Sequence, residues 1–413
     1  MCMRNLVVVA YAWLSVLVFL LVGSAACSKE RPMTPMSSKE NIMQNESTYP
    51  TYYSSPRRDC AIAVASRAGG NIAWSRELGL ERADILPALL IWEGNILAVA
   101  GEGMVLFSPD SRRLWDRVKR ADSPPAVANG LLYFENRGHF LEAVDPNNSQ
   151  VLKKAPFPGV PTDEFHVTLL WPREKDFIAT IYLPDPTYDT EDLDTPPPQP
   201  EVLGRRTVYG ELVGAWGKTY EGVQALPPLF VPELERWIIS MDEVISVDLK
   251  LEEEASRFKI PLEQSVNWSA DAEGTLCIIG YHEGHKVMLA MSLTGEEKWR
   301  WSDRKTPDRW VTGQPPIRSG NRRVYGLTGG RILAIEQGKL LWQYEVKNGT
   351  IRHGSSLADG SLLVAAGKTL ILLNLAGKER FLVSLDNEIL TPPVVDADGN
   401  IYVATATHLV QIK

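Results

Sequence analysis

At five places along this chain a glycine or other small turn residue stands four positions before a large apolar one, and this spacing limits the fold more than any other feature. Gly295 precedes Trp299, Gly338 precedes Trp342 and Gly377 precedes Phe381, while Ser111 and Asn148 hold the same offset before Trp115 and Leu152. Each instance ends a unit with a fixed internal order. A proline-rich turn and a short apolar strand open it, as at Pro124-Pro125, Pro227-Pro228, Pro315-Pro316 and Pro392-Pro393. A Gly or Asn turn leads to a second strand (Gly130-Leu-Leu-Tyr-Phe, Gly360-Ser-Leu-Leu-Val) and then a third (Arg331-Ile-Leu-Ala-Ile, Thr369-Leu-Ile-Leu-Leu). The Gly-to-aromatic turn introduces the fourth.

Four short strands punctuated by turns form the pattern of one propeller blade. Aligned on their opening strands, the units fall at Pro87, Pro125, Val167, Pro228, Asn267, Pro316, Ser355 and Pro393, in steps of 38, 42, 61, 39, 49, 39 and 38 residues. The sequence thus predicts an all-β fold, an eight-bladed β-propeller of four-stranded antiparallel blades. The last unit reaches Lys413 with only three strands, and the missing fourth-strand pattern lies at the other end, in Gly70-Asn-Ile-Ala-Trp74. Pairing residues 70–78 onto the last blade closes the ring and removes a free edge open to association. The expected organisation is a leader at 1–27, a tether at 28–69 rich in Ser, Pro, Met, Tyr and Asn, and a propeller at 70–413. A Pro/Asp-rich insertion at about 184–206, carrying Asp185, Asp189 and Pro196-Pro197-Pro198, accounts for the longest step and is expected to be an exposed loop.

Thr294-Gly295-Glu-Glu-Lys-Trp299 and Gln337-Gly338-Lys-Leu-Leu-Trp342 resemble the tryptophan-docking repeat of the PQQ-like (quinoprotein-type) β-propeller superfamily, within the broader WD40/YVTN-like group, and the resemblance extends over about residues 70–413. It implies that Trp74, Trp115, Trp299, Trp342 and Phe381 wedge between neighbouring blades, each burying roughly 150–250 Å². It does not carry the cofactor with it. The quinoprotein dehydrogenases of that superfamily bind PQQ near a metal, often over a vicinal disulfide, and no adjacent cysteine pair exists here.

The first 27 residues read as an export signal: a positive start at Met1–Arg4, an apolar run from Leu6 to Val22, and a small-residue exit at Gly23-Ser24-Ala25-Ala26-Cys27. Ala25, Ala26 and Cys27 resemble a bacterial lipobox, which makes Cys27 the expected lipid attachment site, and Ser28 then resembles an outer-membrane sorting residue. Ser24 stands where leucine is commonest, so plain cleavage into a soluble secreted form and an uncleaved anchor stay open.

The formal net charge of −8 and a pI near 5.5 exclude a nucleic-acid binder that works through a basic surface. The same charge makes acyl chains, rather than attraction to anionic lipid, the means of holding the membrane. Of four cysteines, Cys60 and Cys277 remain beyond the leader. An exporting compartment permits their pairing, although Cys277 lies in a strand-like apolar run and reads as a small buried hydrophobe.

Two motifs suggest chemistry. His282-Glu283-Gly284-His285 is a close histidine pair, but it lies between two strands and reads as a hairpin turn. Asp396-Ala-Asp398-Gly399-Asn400 echoes the start of a calcium loop, yet its twelfth position is Thr407, which cannot supply the bidentate carboxylate. No G-x-S-x-G, P-loop or H-E-x-x-H is present. No catalytic, cofactor or metal residues are therefore assigned. The expectation is a non-catalytic, lipid-anchored, monomeric scaffold for protein–protein interaction, facing the periplasm from the outer membrane. It resembles the propeller lipoproteins of outer-membrane barrel assembly, with an envelope protein, such as a barrel-assembly complex, as partner and no nucleic acid. The alternatives are a ligand-binding or PQQ-dependent oxidoreductase propeller using its central channel, and a cell-surface sensor or adhesion module.

Overall fold

The computed structural model describes residues 60–80, 88–100, 103–118, 126–128, 131–136, 140–156, 166–172, 177–183, 201–207, 219–220, 226–240, 243–248, 253–320 and 322–413. By compactness the chain divides into 1–44 and 45–413, and only the second unit contains described residues. The leader, Cys27 and most of the expected tether lie outside them.

The described residues form eight four-stranded antiparallel sheets. Seven are built from consecutive strands, at 88–118, 126–156, 166–220, 226–258, 264–303, 317–345 and 351–384, and are called the first to the seventh sheet in that order. The eighth takes Val394–Val395, Ile401–Ala404 and His408–Ile412 from the C-terminal end and adds Ile72–Glu77 as its outer strand. Apart from one 3-10 turn at Pro232–Leu234, the described structure is strand and loop.

The sheets are arranged radially. First strands of adjacent sheets touch across the second–third, third–fourth, fourth–fifth, sixth–seventh and eighth–first boundaries. Shared apolar clusters join the rest. Cys277 and Met288 of the fifth sheet pack with Val324 and Leu333 of the sixth. A larger cluster unites Phe134 of the second, Leu106 of the first, Leu370 of the seventh and Tyr402 of the eighth. Every boundary is closed, and the molecule is a β-propeller.

Burial explains the apolar runs. In the seventh sheet Leu362–Ala366 and Thr369–Leu373 are buried at every position, because a middle strand is covered by the neighbouring sheets on both faces. Outer strands such as Lys339–Glu345 face solvent and alternate toward their ends. Each fully buried Leu, Ile or Val contributes about 1.5–3 kcal/mol, which makes the middle strands the main source of cohesion.

The outer strand at 72–77 pairs with His408–Ile412, from Ile72 opposite Ile412 to Glu77 opposite His408. Asn71 and Lys413 also exchange backbone hydrogen bonds at 2.9 and 2.8 Å.

Two boundaries differ from the sequence expectation. The folded body starts before Gly70: Cys60 and Ile62 are buried, and Ala61 forms a parallel bridge to Ser356. The composition of 28–69 hid this, because a few apolar side chains such as Cys60 and Ile62 stand in a stretch dominated by polar residues. Part of the insertion is regular as well. Glu201–Thr207 is the third strand of the third sheet, paired residue by residue with Phe177–Leu183. The proline and acid density of the preceding residues, Asp185 to Pro198, made the whole stretch read as loop. Residues 184–200 lie outside the described residues.

Candidate functional site

The docking residues set the frame. Trp342 on the outer strand of the sixth sheet donates its indole N–H to the Leu375 carbonyl in the next sheet at 3.0 Å. Gly377, two residues beyond that carbonyl, lies on the same indole, and a Cβ there would sit 2.6 Å from Cδ2 of Trp342. The pattern recurs around the ring. Gly295 lies on Phe258 and Gly70 on Phe381, while Gly338 sits against the Arg300 carbonyl oxygen and the Cβ of Trp299. Trp74 donates to Pro109 at 3.1 Å, and Trp115 donates to Pro146. The glycine and the aromatic that stand four apart in sequence thus serve two different boundaries: the glycine receives the previous sheet's ring, while the aromatic reaches the next sheet.

One boundary is served differently, and the sequence did not show it. The fourth sheet has no aromatic at the usual place. Ser256 donates its hydroxyl to Leu293 at 2.5 Å, and Phe258, two residues on along the strand, packs under Gly295. Residues two apart point to the same face of a strand, so a donor and a ring together replace one indole.

A cleft opens between the fifth and sixth sheets, with a volume of about 710 Å³. One wall is the start of the first strand of the fifth sheet, at Glu263–Val266, with Tyr281 beside it; the other is the connection from Thr306 to Thr312. Trp310 is buried beneath it, held by its indole N–H on the Gly280 carbonyl (2.9 Å) and by its backbone N–H on the Tyr281 hydroxyl (3.2 Å). Trp301 meets it edge-on at 6.3 Å. The turn at Glu283-Gly284 caps the same end of the sheet; both residues have positive φ, at 51° and 72°, as a tight two-residue hairpin requires.

The connection is fixed by four charged groups. Lys286, whose side chain is 2% exposed, donates to the carbonyls of Thr306 (2.9 Å) and Asp308 (2.7 Å) and forms an ion pair with the Asp308 carboxylate. Arg331 of the sixth sheet spans both acids, with Nε to Asp308 at 3.0 Å and a terminal nitrogen to Asp303 at 3.1 Å. Thr306 donates to Asp303. Burial alone would raise the Asp303 carboxyl, but hydrogen bonds from Thr306, the Lys305 amide and Arg331, with the charge of Lys286, hold it down at about 2. Asp308 is likewise pushed well below the carboxylate range: burial opposes ionisation and is outweighed by bonds from Arg331 and Lys286. Two cations and two anions cancel, so the cluster clasps two sheets without adding net charge. The sequence concealed it, because Lys286 and Arg331 open apolar strands and read as surface positions. The 49-residue step and the Lys305-Thr-Pro-Asp-Arg run were the available signal.

At the centre, residues 60–67 cross from the first strand of the seventh sheet to the turn of the eighth. Ile62 donates to Ser356 at 2.8 Å and Ser356 to Cys60 at 3.0 Å; Arg67 and Ser66 reach the Gly399 carbonyl. Gln314 fastens Cys60 and Gly354 with its side-chain amide. In the eighth sheet the Asp396 carboxylate accepts from the amides of Asp398 and Asn400, from the Asn400 side chain and from Tyr402. Its oxygens are filled by the turn itself.

The fold family raises the question of PQQ, a tricarboxylate. Cys60 and Cys277 are buried free thiols, so neither belongs to a disulfide, and burial pushes the Cys277 thiol up to about 12. The enclosed cations are already spent: Lys286 and Arg331 on the acids above, and Arg318, on the first strand of the sixth sheet, on Asp271 at 3.1 Å. The described residues do not fit this cofactor. Among them no group of three His, Cys, Asp or Glu side chains could hold a metal.

No known family profile matches the sequence, and no curated protein matches it. Solved structures do. The quinohemoprotein alcohol dehydrogenase ADHIIG from Pseudomonas putida HK5 is similar over 89% of this chain and 80% of its own, at 10% identity and a TM-score of 0.62. A europium-containing methanol dehydrogenase is similar over 87% and 89%, at 10% identity and a TM-score of 0.59. BamB from Moraxella catarrhalis is similar over 83% of this chain and 99% of its own, at 10% identity and a TM-score of 0.54. At such identities the likeness shows the β-propeller fold alone, and a fold of this kind hosts many functions.

Proposed function

We propose that this chain is a non-catalytic binding scaffold of the cell envelope, carried on a lipidated Cys27 and engaging a protein partner, in the manner of the barrel-assembly propellers that its sequence resembles. The cleft between the fifth and sixth sheets carries the reading. Asp308 in its wall, with Asp303 and Arg331 behind it, is held far from neutral titration by their mutual pairing, whereas general acid–base work needs a group poised near the working pH. Rigid walls of matched charge suit recognition, because little is lost in ordering them on binding. The structural likeness to BamB supports an envelope setting.

The test is photocrosslinking in intact cells from an unnatural amino acid at Thr312 inside the cleft, with a second probe at Glu273 on a turn at the other end of the fifth sheet. The scaffold reading expects one reproducible envelope protein from position 312 and not from 273. Absence of any specific adduct at 312, or PQQ-dependent dye reduction by the purified protein, overturns it.

A further inference from the structure

The charge left over at the cleft identifies its occupant more closely, on the reading that the cleft is a binding site. The Lys286, Arg331, Asp303 and Asp308 cluster is neutral within itself. The connection that it anchors carries three further cations, Arg304, Lys305 and Arg309, and among the described residues no acid pairs with any of their side chains. All three are exposed, and Arg309 lines the cleft. On the opposite wall Glu263 stands 3.9 Å from His282. Three unpaired cations within six residues run against the composition of a chain with 43 basic and 51 acidic residues.

The bland reading is a solvated basic turn. Two observations go beyond it. The connection that carries these charges is held in place, because Lys286 bonds the Thr306 and Asp308 carbonyls and Arg331 bonds the Asp308 carboxylate. Of the three, Arg309 also lines a cavity, with Arg304 and Lys305 on the same connection, and the rest of that lining is mixed: Val266 and Pro307 offer apolar contact, Gln264, Ser265 and Thr312 offer an amide and two hydroxyls, and Glu263 stands on the far wall. Guanidinium groups grip carboxylates bidentately, and neutral polar groups satisfy a peptide backbone. A cavity of about 710 Å³ is in the range for a short ligand and too small for a folded domain. We infer that the cleft takes an extended, acidic peptide segment, with its carboxylates on Arg309 and its neighbours and its backbone along Gln264–Val266.

Fluorescence anisotropy with fluorescein-labelled hexaglutamate on the full chain tests this, with labelled hexalysine as the opposite charge. Hexaglutamate is expected to bind and hexalysine not. Arg309→Glu and, separately, Lys305→Glu should each weaken hexaglutamate at least tenfold, while Lys339→Glu, a cation on the outer strand of the sixth sheet, leaves it unchanged. Equal binding of both peptides, or indifference to both cleft variants, overturns the inference. Complete displacement by millimolar inorganic phosphate also overturns it, because a simple anion site then suffices. If the Thr312 crosslink persists without hexaglutamate binding, the cleft is a partner site of different charge; if both are lost, the scaffold reading falls with the inference.

Discussion

Gly377 rests directly on the indole of Trp342, close enough that a Cβ would lie 2.6 Å from the ring, while the indole N–H reaches the Leu375 carbonyl two residues earlier. One turn therefore receives both the face and the polar edge of a tryptophan from the neighbouring sheet. Its φ of 75° is a second reason for glycine.

The two reasons are separable. Gly377→Ala is expected to cost about 2–4 kcal/mol, from positive φ plus overpacking against the ring. Gly284→Ala, at φ 72° with nothing within 4 Å of its added Cβ, should cost only about 1 kcal/mol. Denaturant midpoints of the two variants measure the docking contribution as their difference, and equal losses would refute it.

Ser256 and Phe258 divide what an indole does alone elsewhere. Ser256→Ala should cost about 1 kcal/mol, the value of one hydrogen bond, and Phe258→Ala about 2–3 kcal/mol, because the ring is only partly buried against its cluster. A double variant whose loss does not exceed that of Phe258→Ala alone would show that the hydroxyl contributes nothing.

Removing residues 70–78 strips the eighth sheet of its outer strand, together with Trp74 and its bond to Pro109. The exposed edge of His408–Ile412 then becomes a template for association. Thermal unfolding should shift sharply downward and size-exclusion profiles should broaden; an unchanged transition would contradict a structural role for the closing strand.

Asp308→Ala leaves Lys286 and Arg331 enclosed with too little counter-charge, which is expected to cost about 3–5 kcal/mol. Replacing the pair together, as Lys286→Met with Asp308→Leu, should recover a large part of that. Urea unfolding of the single and double variants reads the coupling, and additive losses would mean that the pair does not act as a unit.

His353 sets the response to mild acid. Burial lowers its ring to about 4 from 6.5, against a backbone bond to the Leu390 carbonyl at 3.1 Å and with Arg352 nearby. Its folded value is depressed, so its contribution is complete above pH 6.5 and is lost as pH falls toward 4. The Asp303 contribution leaves in a lower window, between 3.8 and about 2. His353→Gln should flatten the upper window and spare the lower one, as followed by melting temperature against pH.

The frame was legible because it repeats. The Gly-to-aromatic offset and the apolar runs recur often enough that the missing strand of the last unit could be sought at the other end of the chain. The cleft was not legible because it occurs once. Lys286 and Arg331 sit at the ends of apolar strands, where solvent-facing charges are ordinary, and only the fold brings them against Asp303 and Asp308 across a sheet boundary. Ser256 escaped notice for a related reason: a serine has no period of its own, and its role depends on the Leu293 carbonyl in another sheet. The burial of Cys60 and Ile62 was hidden by the polar composition of the stretch around them.

The hub crossing at 60–67 has a mechanical consequence. The described chain enters at the central strand of the seventh sheet and reaches the rim only afterwards, at Ile72. Tension arriving from the N-terminal side is therefore delivered to the axle of the wheel before its rim. There it meets the Ile62–Ser356 and Ser356–Cys60 bonds, the two that flank a single parallel bridge at Ala61. The strand that closes the ring is shielded from the pull for as long as those bonds hold.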